Sequence, residues 1–158
     1  MTQNETPTIR GGDGRRTRLP RRRRRWDIVA VIAIGGALGA SVRHLISEAL
    51  PQASQGFPFG PFVVNVSGCL LIGLLMVSIV DERQPHRLAR PFLGVGLLGG
   101  YTTFSTYAVE TVGLIQAGDP RTAFTYFGGT VVGALVAVQL GVLLARSARA
   151  LLHRRANR

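Results

Sequence analysis

From Gly60 to Val80 the chain carries no charged side chain, and about 20 consecutive apolar residues suffice to cross the hydrocarbon core of a bilayer. Three further stretches resemble it: about Ile28–Leu50, Pro91–Ala117 and Ala123–Ala145. Hydrocarbon offers backbone polar groups no partner, so an apolar stretch that crosses it must satisfy them internally, as a helix does. The rest of the composition agrees. Of 158 residues 46% are hydrophobic and 20 are glycine, too apolar for a soluble domain that also carries arginine-rich tails. The fold class read from this is an all-α integral membrane protein with four transmembrane helices.

The third stretch cannot be a plain helix. At its middle stands Gly99-Gly100-Tyr101-Thr102-Thr103-Phe104-Ser105-Thr106-Tyr107. Adjacent glycines disfavour helix by roughly 1 kcal/mol each, and paired β-branched threonines add stiffness. Hydroxyls and rings then follow at bilayer depth. Irregular backbone at that depth is tolerated only where protein buries it or where it lines a polar cavity. The third span is therefore expected to be broken at a conduction or binding site.

Charge sets the ends. The net charge is +11 from 19 basic residues, all arginine. Nine lie between Arg10 and Arg25, three between Arg83 and Arg90, and five from Arg146 onward. With four spans these fall on one side, together with both termini, and the positive-inside rule puts that side in the cytoplasm. Residues 1–26 read as a disordered arginine-rich cytoplasmic tail, 27–147 as the four-helix transmembrane domain, and 148–158 as a basic C-terminal tail. A twin-arginine signal is the competing reading of the first segment, but no cleavage site stands clearly after the first span. A nucleic-acid binder could show the same basicity; here the arginines flank apolar spans, so no nucleic acid is expected as partner.

Several side chains stand out inside the spans. Asn65 is an amide at bilayer depth, which must meet partners or water, either as helix–helix glue or at a pore. Phe104 and Tyr107 share a helix face if the segment after Thr103 is helical; packing alone would also explain them. Ser105 and Thr106 can bond their own backbone or face a polar path. Glu110 is the one acid well inside a span, a functional candidate by default. Tyr126 and Thr130 lie one turn apart. Arg43 ends the first span, where it can snorkel. Gly35/Gly39 and Gly129/Gly133 have the four-residue spacing of close helix contacts. Cys69 reads as a small core residue. No nucleophile–base pair, phosphate loop or metal-ligand cluster is present, so no enzyme is expected.

The segment GGYTTFSTY, followed by Glu110, resembles the GGxTTFSTF-x-x-E signature of the Fluc (CrcB-like) fluoride channels. Gly36-Ala37-Leu38-Gly39-Ala40 with Arg43 is similar to that family's first-span pattern, and Gly60 to Gly68 with Asn65 to its second. The resemblance implies an antiparallel, dual-topology dimer in the bacterial cell membrane, multi-pass, that passively exports cytoplasmic fluoride and reduces its toxicity. It implies Asn65, Phe104, Tyr107, Ser105, Thr106, Thr130 and Tyr126 along the fluoride path, and Arg43 near a vestibule. It implies a structural Na⁺ held by the Gly99 and Thr102 carbonyls, and leaves Glu110 without a role. Two departures stand. Tyr107 replaces a phenylalanine, and the arginine bias disfavours equal insertion both ways. The partner expected beside membrane lipid is thus either a second copy or a paralogue of opposite topology. A four-helix proton-coupled multidrug exporter is the alternative; it would need a carboxylate in mid-span one, where this chain has glycine and alanine.

Overall fold

The computed structural model describes residues 21–50, 56–80 and 87–156, which are helical apart from short connections and contain no strand. Helix α1 spans Arg21–Ala49, α2 Phe59–Val80, α3 Gly99–Tyr101, α4 Phe104–Gln116 and α5 Pro120–Ala156, with a π-helix over Pro91–Leu98 leading into α3. Three helical segments are long and apolar enough to cross a membrane: Arg25–Ala49, Phe59–Ser78 and Pro120–Leu152. They match the first, second and fourth apolar stretches. The third is broken into the π-helix, the single turn α3, the extended pair Thr102 and Thr103, and α4.

The ends of the outer helices differ from expectation. Helix α1 begins at Arg21, within the segment read as tail, and α5 continues to Ala156 through the arginine-rich end. Arginine, alanine and leucine are strong helix formers, so the helix has no local reason to stop. Residues 1–20 and 157–158 lie outside the described residues.

Glycines let the helices approach until backbones touch. A Cβ on Gly35 would lie 2.7 Å from the Phe92 carbonyl oxygen, and one on Gly96 2.8 Å from that of Ile32. On Gly39 and Gly100 it would collide with the Leu97 and Gly36 carbonyls. The Gly35/Gly39 pair thus seats α1 against the π-helix and α3. On α5 the close crossing falls elsewhere than the Gly129/Gly133 pair. Gly141 meets the Leu70 carbonyl of α2 and Gly73 meets that of Val138, whereas Gly133 faces side chains and Gly129 faces open space.

These contacts also fix direction. Gly35 and Gly39 oppose Gly96 and Gly100 in the same order, so α1 and the π-helix run parallel; Val66 and Gly73 likewise meet Gly133 and Gly141, so α2 and α5 run parallel. Gly60 abuts Ser47, so α2 runs back along α1. The start of α1, the end of α2, the start of the π-helix and the later turns of α5 therefore gather at one end, where Arg87 Nη2 donates to Asp27 Oδ2 at 3.0 Å. At the opposite end Gly118 takes φ +83° to turn the chain from α4, and Thr122 N–H donates to Asp119 Oδ1 at 3.1 Å, capping α5. Tyr107, Leu114, Ala123 and Tyr126 form the buried apolar core between α4 and α5, with Phe57 and Phe62 against it.

Candidate functional site at the broken segment

The break is held by a two-way clasp. Asn65 Nδ2 donates to the Thr103 carbonyl at 2.9 Å, and Thr103 N–H donates to Asn65 Oδ1 at 2.9 Å. An amide that pairs both its donor and its acceptor with one extended residue mimics a strand contact, and it supplies what the helix gave up. Thr103 then caps α4: its Oγ1 accepts Thr106 N–H at 3.2 Å and donates to Thr106 Oγ1 at 3.0 Å. Ser105 Oγ lies 3.4 Å from the same oxygen. A neighbouring bond between Ser67 Oγ and the Tyr101 hydroxyl, 2.8 Å, fastens α3 to α2.

The clasp has a side effect on two carbonyls. In a continuous helix Thr103 N–H would bond the Gly99 carbonyl and Thr106 N–H that of Thr102. Both donors are engaged elsewhere, by Asn65 Oδ1 and Thr103 Oγ1. The Gly99 and Thr102 oxygens are thus left without their usual helical donors. Gly99 is exposed and Thr102 half-buried. Oxygens of this kind are the ligands that hard cations take, and these two carbonyls are the ones the family resemblance implies for Na⁺.

Beside the clasp lies a cleft of about 270 Å³, to which Asn65, Thr103, Phe104, Tyr107 and Thr130 contribute. Cys69 lines it as well and is half-buried, rather than a core residue; the small side chain leaves room at the wall instead of filling an interior. Phe104 projects from the cleft edge, 79% exposed. Its ring centroid is 5.8 Å from that of Tyr107. Tyr107 is buried, stacked on Phe127 and tilted against Tyr126, each 5.4 Å away. Its hydroxyl donates to the Phe127 carbonyl at 2.9 Å. The departure from phenylalanine therefore adds an α4–α5 tie.

Among the described residues, two buried hydroxyls stand without partners. Tyr126 Oη and Thr130 Oγ1 are buried and unbonded, and buried hydroxyls usually have partners. They lie one turn apart on α5, Thr130 at the cleft wall and Tyr126 edge-on to Phe57. Asn65 Nδ2 also keeps its second N–H beyond the one given to Thr103.

The structure thus brings Asn65, Phe104, Tyr107, Thr130 and Thr102 together around one cleft; Ser105 and Thr106 are tied to it through the Thr103 hydroxyl, and Tyr126 through the Tyr107 ring. Arg43 is near the end of α1 and Glu110 one turn beyond Tyr107; both are half-buried and neither lines the cleft. Sequence reasoning passed over Thr103, which joins clasp and cap. Its signal was present, since threonine just before a helix start is a favoured N-cap.

Among proteins of known family, residues 30–142 match the model described as "CrcB-like protein, Camphor Resistance (CrcB)". The chain belongs to the CrcB-like family. Within it, the chain is 48% identical over 130 residues to "Fluoride-specific ion channel FluC 2" of Streptomyces avermitilis, covering 79% of this chain and 82% of that protein. It is 50% identical over 119 residues to the protein of the same name from Nocardia farcinica, covering 75% and 85%. A second Streptomyces avermitilis relative, "Fluoride-specific ion channel FluC 3", is 41% identical over 131 residues, covering 82% and 64%. Membership of the CrcB-like family and the apolar helices together make this a multi-pass membrane protein.

Proposed function

We propose that this CrcB-like protein is a passive fluoride channel, with the cleft at the broken segment as part of the ion path. The observation that carries the reading is the buried, unpartnered Thr130 hydroxyl on the cleft wall it shares with Asn65, with the equally unpartnered Tyr126 hydroxyl one turn before it on α5. Fluoride is small and strongly hydrated, so a pore must replace its water with donors. Donors left unpaired in a low-dielectric wall are costly unless an acceptor visits them. The projecting Phe104 ring presents a positive edge on which an anion can rest. The relatives' names point to the same ion.

The third apolar stretch would make a fourth crossing only as a broken helix, so both termini would share a side, the cytoplasmic one by the arginine bias. A negative membrane potential would then drive fluoride outward. The protein would work as an antiparallel dimer, in which a partner covers Phe104 and the exposed Gly99. Four carbonyls, from Gly99 and Thr102 of each copy, would hold a central Na⁺ that fixes the two breaks against each other. The arginine bias favours a partner of opposite orientation, and Streptomyces avermitilis with its two relatives shows that one organism can hold more than one such chain.

Purified protein in liposomes, alone or with such a partner, is expected to release fluoride with little chloride flux. Asn65→Asp, which loses a donor and adds a repelling charge, and Phe104→Ile are each expected to cut fluoride flux by about ten-fold or more while the protein still assembles, since one lost anion donor is worth roughly 1.5–3 kcal/mol. Retention of full flux in both variants would exclude this cleft from the path. Exchange of Na⁺ for N-methylglucamine is expected to lower the thermal midpoint of the assembled protein and leave that of dispersed single chains unchanged.

A further inference from the structure

The described arginines at one end of the bundle include Arg25 on α1, Arg87 and Arg90 just before the π-helix, and Arg146 and Arg149 on α5. Asp27, paired with Arg87, is the carboxylate found there among the described residues. The opposite end carries Arg43 and Arg121. At the arginine end a second cleft, about 310 Å³, opens between α2 and the π-helix. Its walls include Leu71, Leu74, Leu75 and Ser78 on α2, and Leu93 and Leu97 on the π-helix. The Ser78 hydroxyl donates back to the Leu74 carbonyl at 2.9 Å, so it makes no demand on an occupant. It shares no residue with the cleft at the break.

The register joins charge to cleft. Arg90 is exposed and stands one turn before Leu93 on the same helical run, at the cleft's arginine-end mouth. Arg87, also exposed, lies three residues earlier at the same end, paired with Asp27. A leucine-lined slot running along the bundle from exposed guanidiniums suits an acyl chain with a negatively charged head. Basic pockets between membrane helices recognise phosphate-bearing lipid heads in this way, and arginine meets phosphate with two parallel N–H donors.

We propose that this slot holds an acyl chain of an anionic phospholipid whose phosphate is bound by Arg90. The inference depends on the protein lying in a membrane and not on which ion it conducts. A zwitterionic lipid would fill the slot without selecting for the arginine, and a helix of a second copy would exclude lipid from it.

The test is native mass spectrometry of the purified full chain in detergent, titrated with dioleoyl phosphatidylglycerol or dioleoyl phosphatidylcholine. Wild type is expected to retain phosphatidylglycerol about five-fold more strongly or better, as one arginine allows. Arg90→Gln should lose that preference, and Arg121→Gln at the other end should keep it. Leu93→Trp, which fills the slot, should weaken retention of both lipids. Soluble glycerol phosphate should displace neither. Equal retention of the two lipids by wild type, no retention of either, unchanged preference in R90Q, or displacement by glycerol phosphate would each overturn the proposal. The wild-type comparison decides even if Leu93→Trp fails to fold.

Discussion

Asn65 answers a question that its sequence position only raised. An amide amid valines at bilayer depth had to find a partner, and the partner is the main chain of Thr103, 38 residues away. No local pattern encodes a pairing over that separation, so the residue was legible and its bond was not. Thr103 offers a clean check on the clasp. Thr103→Val removes the cap and leaves the Thr106 N–H without its acceptor, and is expected to cost about 1 kcal/mol. Thr103→Ser should recover most of it; thermal denaturation in detergent reads the difference. Tyr107 makes a second test. Tyr107→Phe deletes the hydroxyl bond to Phe127 and should cost about 0.5–1.5 kcal/mol of stability. Because that hydroxyl is tied to the Phe127 carbonyl, fluoride flux should change far less than with Phe104→Ile. A large flux change with unaltered stability would put the hydroxyl in the ion path instead.

At the scale of elements, the apolar stretches gave three long helices and foretold that the third would break. The form of the break was hidden. A π-helix from Pro91 to Leu98 leaves no periodic signature, because its wider turn is chosen by how Gly96 and Gly100 must meet α1. Glycine spacing was a good guide on α1 and a poor one on α5, where Gly141 and not Gly129 makes the backbone contact. Spacing shows that a close approach is possible; the partner helix decides where it happens. Gly39→Ala is therefore expected to destabilise by about 1–3 kcal/mol or prevent folding, by overpacking. Gly113→Ala, at an exposed site with open space around it, should be tolerated or mildly stabilising. Thermal midpoints of the two variants provide the comparison. The start of α5 adds a pH dependence. Hydrogen bonds from Thr122, side chain and backbone, hold the Asp119 carboxyl below its ordinary 3.8. A group with a depressed folded value stabilises the fold above the ordinary value, and loses that contribution as pH falls through the depressed one. Wild type should thus lose more stability between pH 5 and strong acid than Asp119→Asn, which keeps a cap without the charge.

The whole molecule is lopsided in charge and incomplete in burial. Large apolar side chains such as Phe104, Val109, Phe124 and Val132 remain well exposed on one chain, more than a soluble monomer would leave bare. In a multi-pass membrane protein lipid meets such a surface, and the proposed partner chain would cover part of it. If the arginine bias governs insertion, labelling of the termini in cells expressing this chain alone should find most molecules in one orientation. Equal labelling from both sides would mean that the N-terminal arginines count little for topology. The length of α5 bears on the same question. Its 37 residues make a rod of about 55 Å, far longer than the roughly 30 Å of hydrocarbon, so its last turns must stand clear of the bilayer as a rigid mast. In an inverted pair the two masts point to opposite faces of the membrane. Spin labels near Ala150 would then be separated by more than a bilayer, whereas two copies inserted the same way would hold them side by side, and one distance measurement reads the architecture directly.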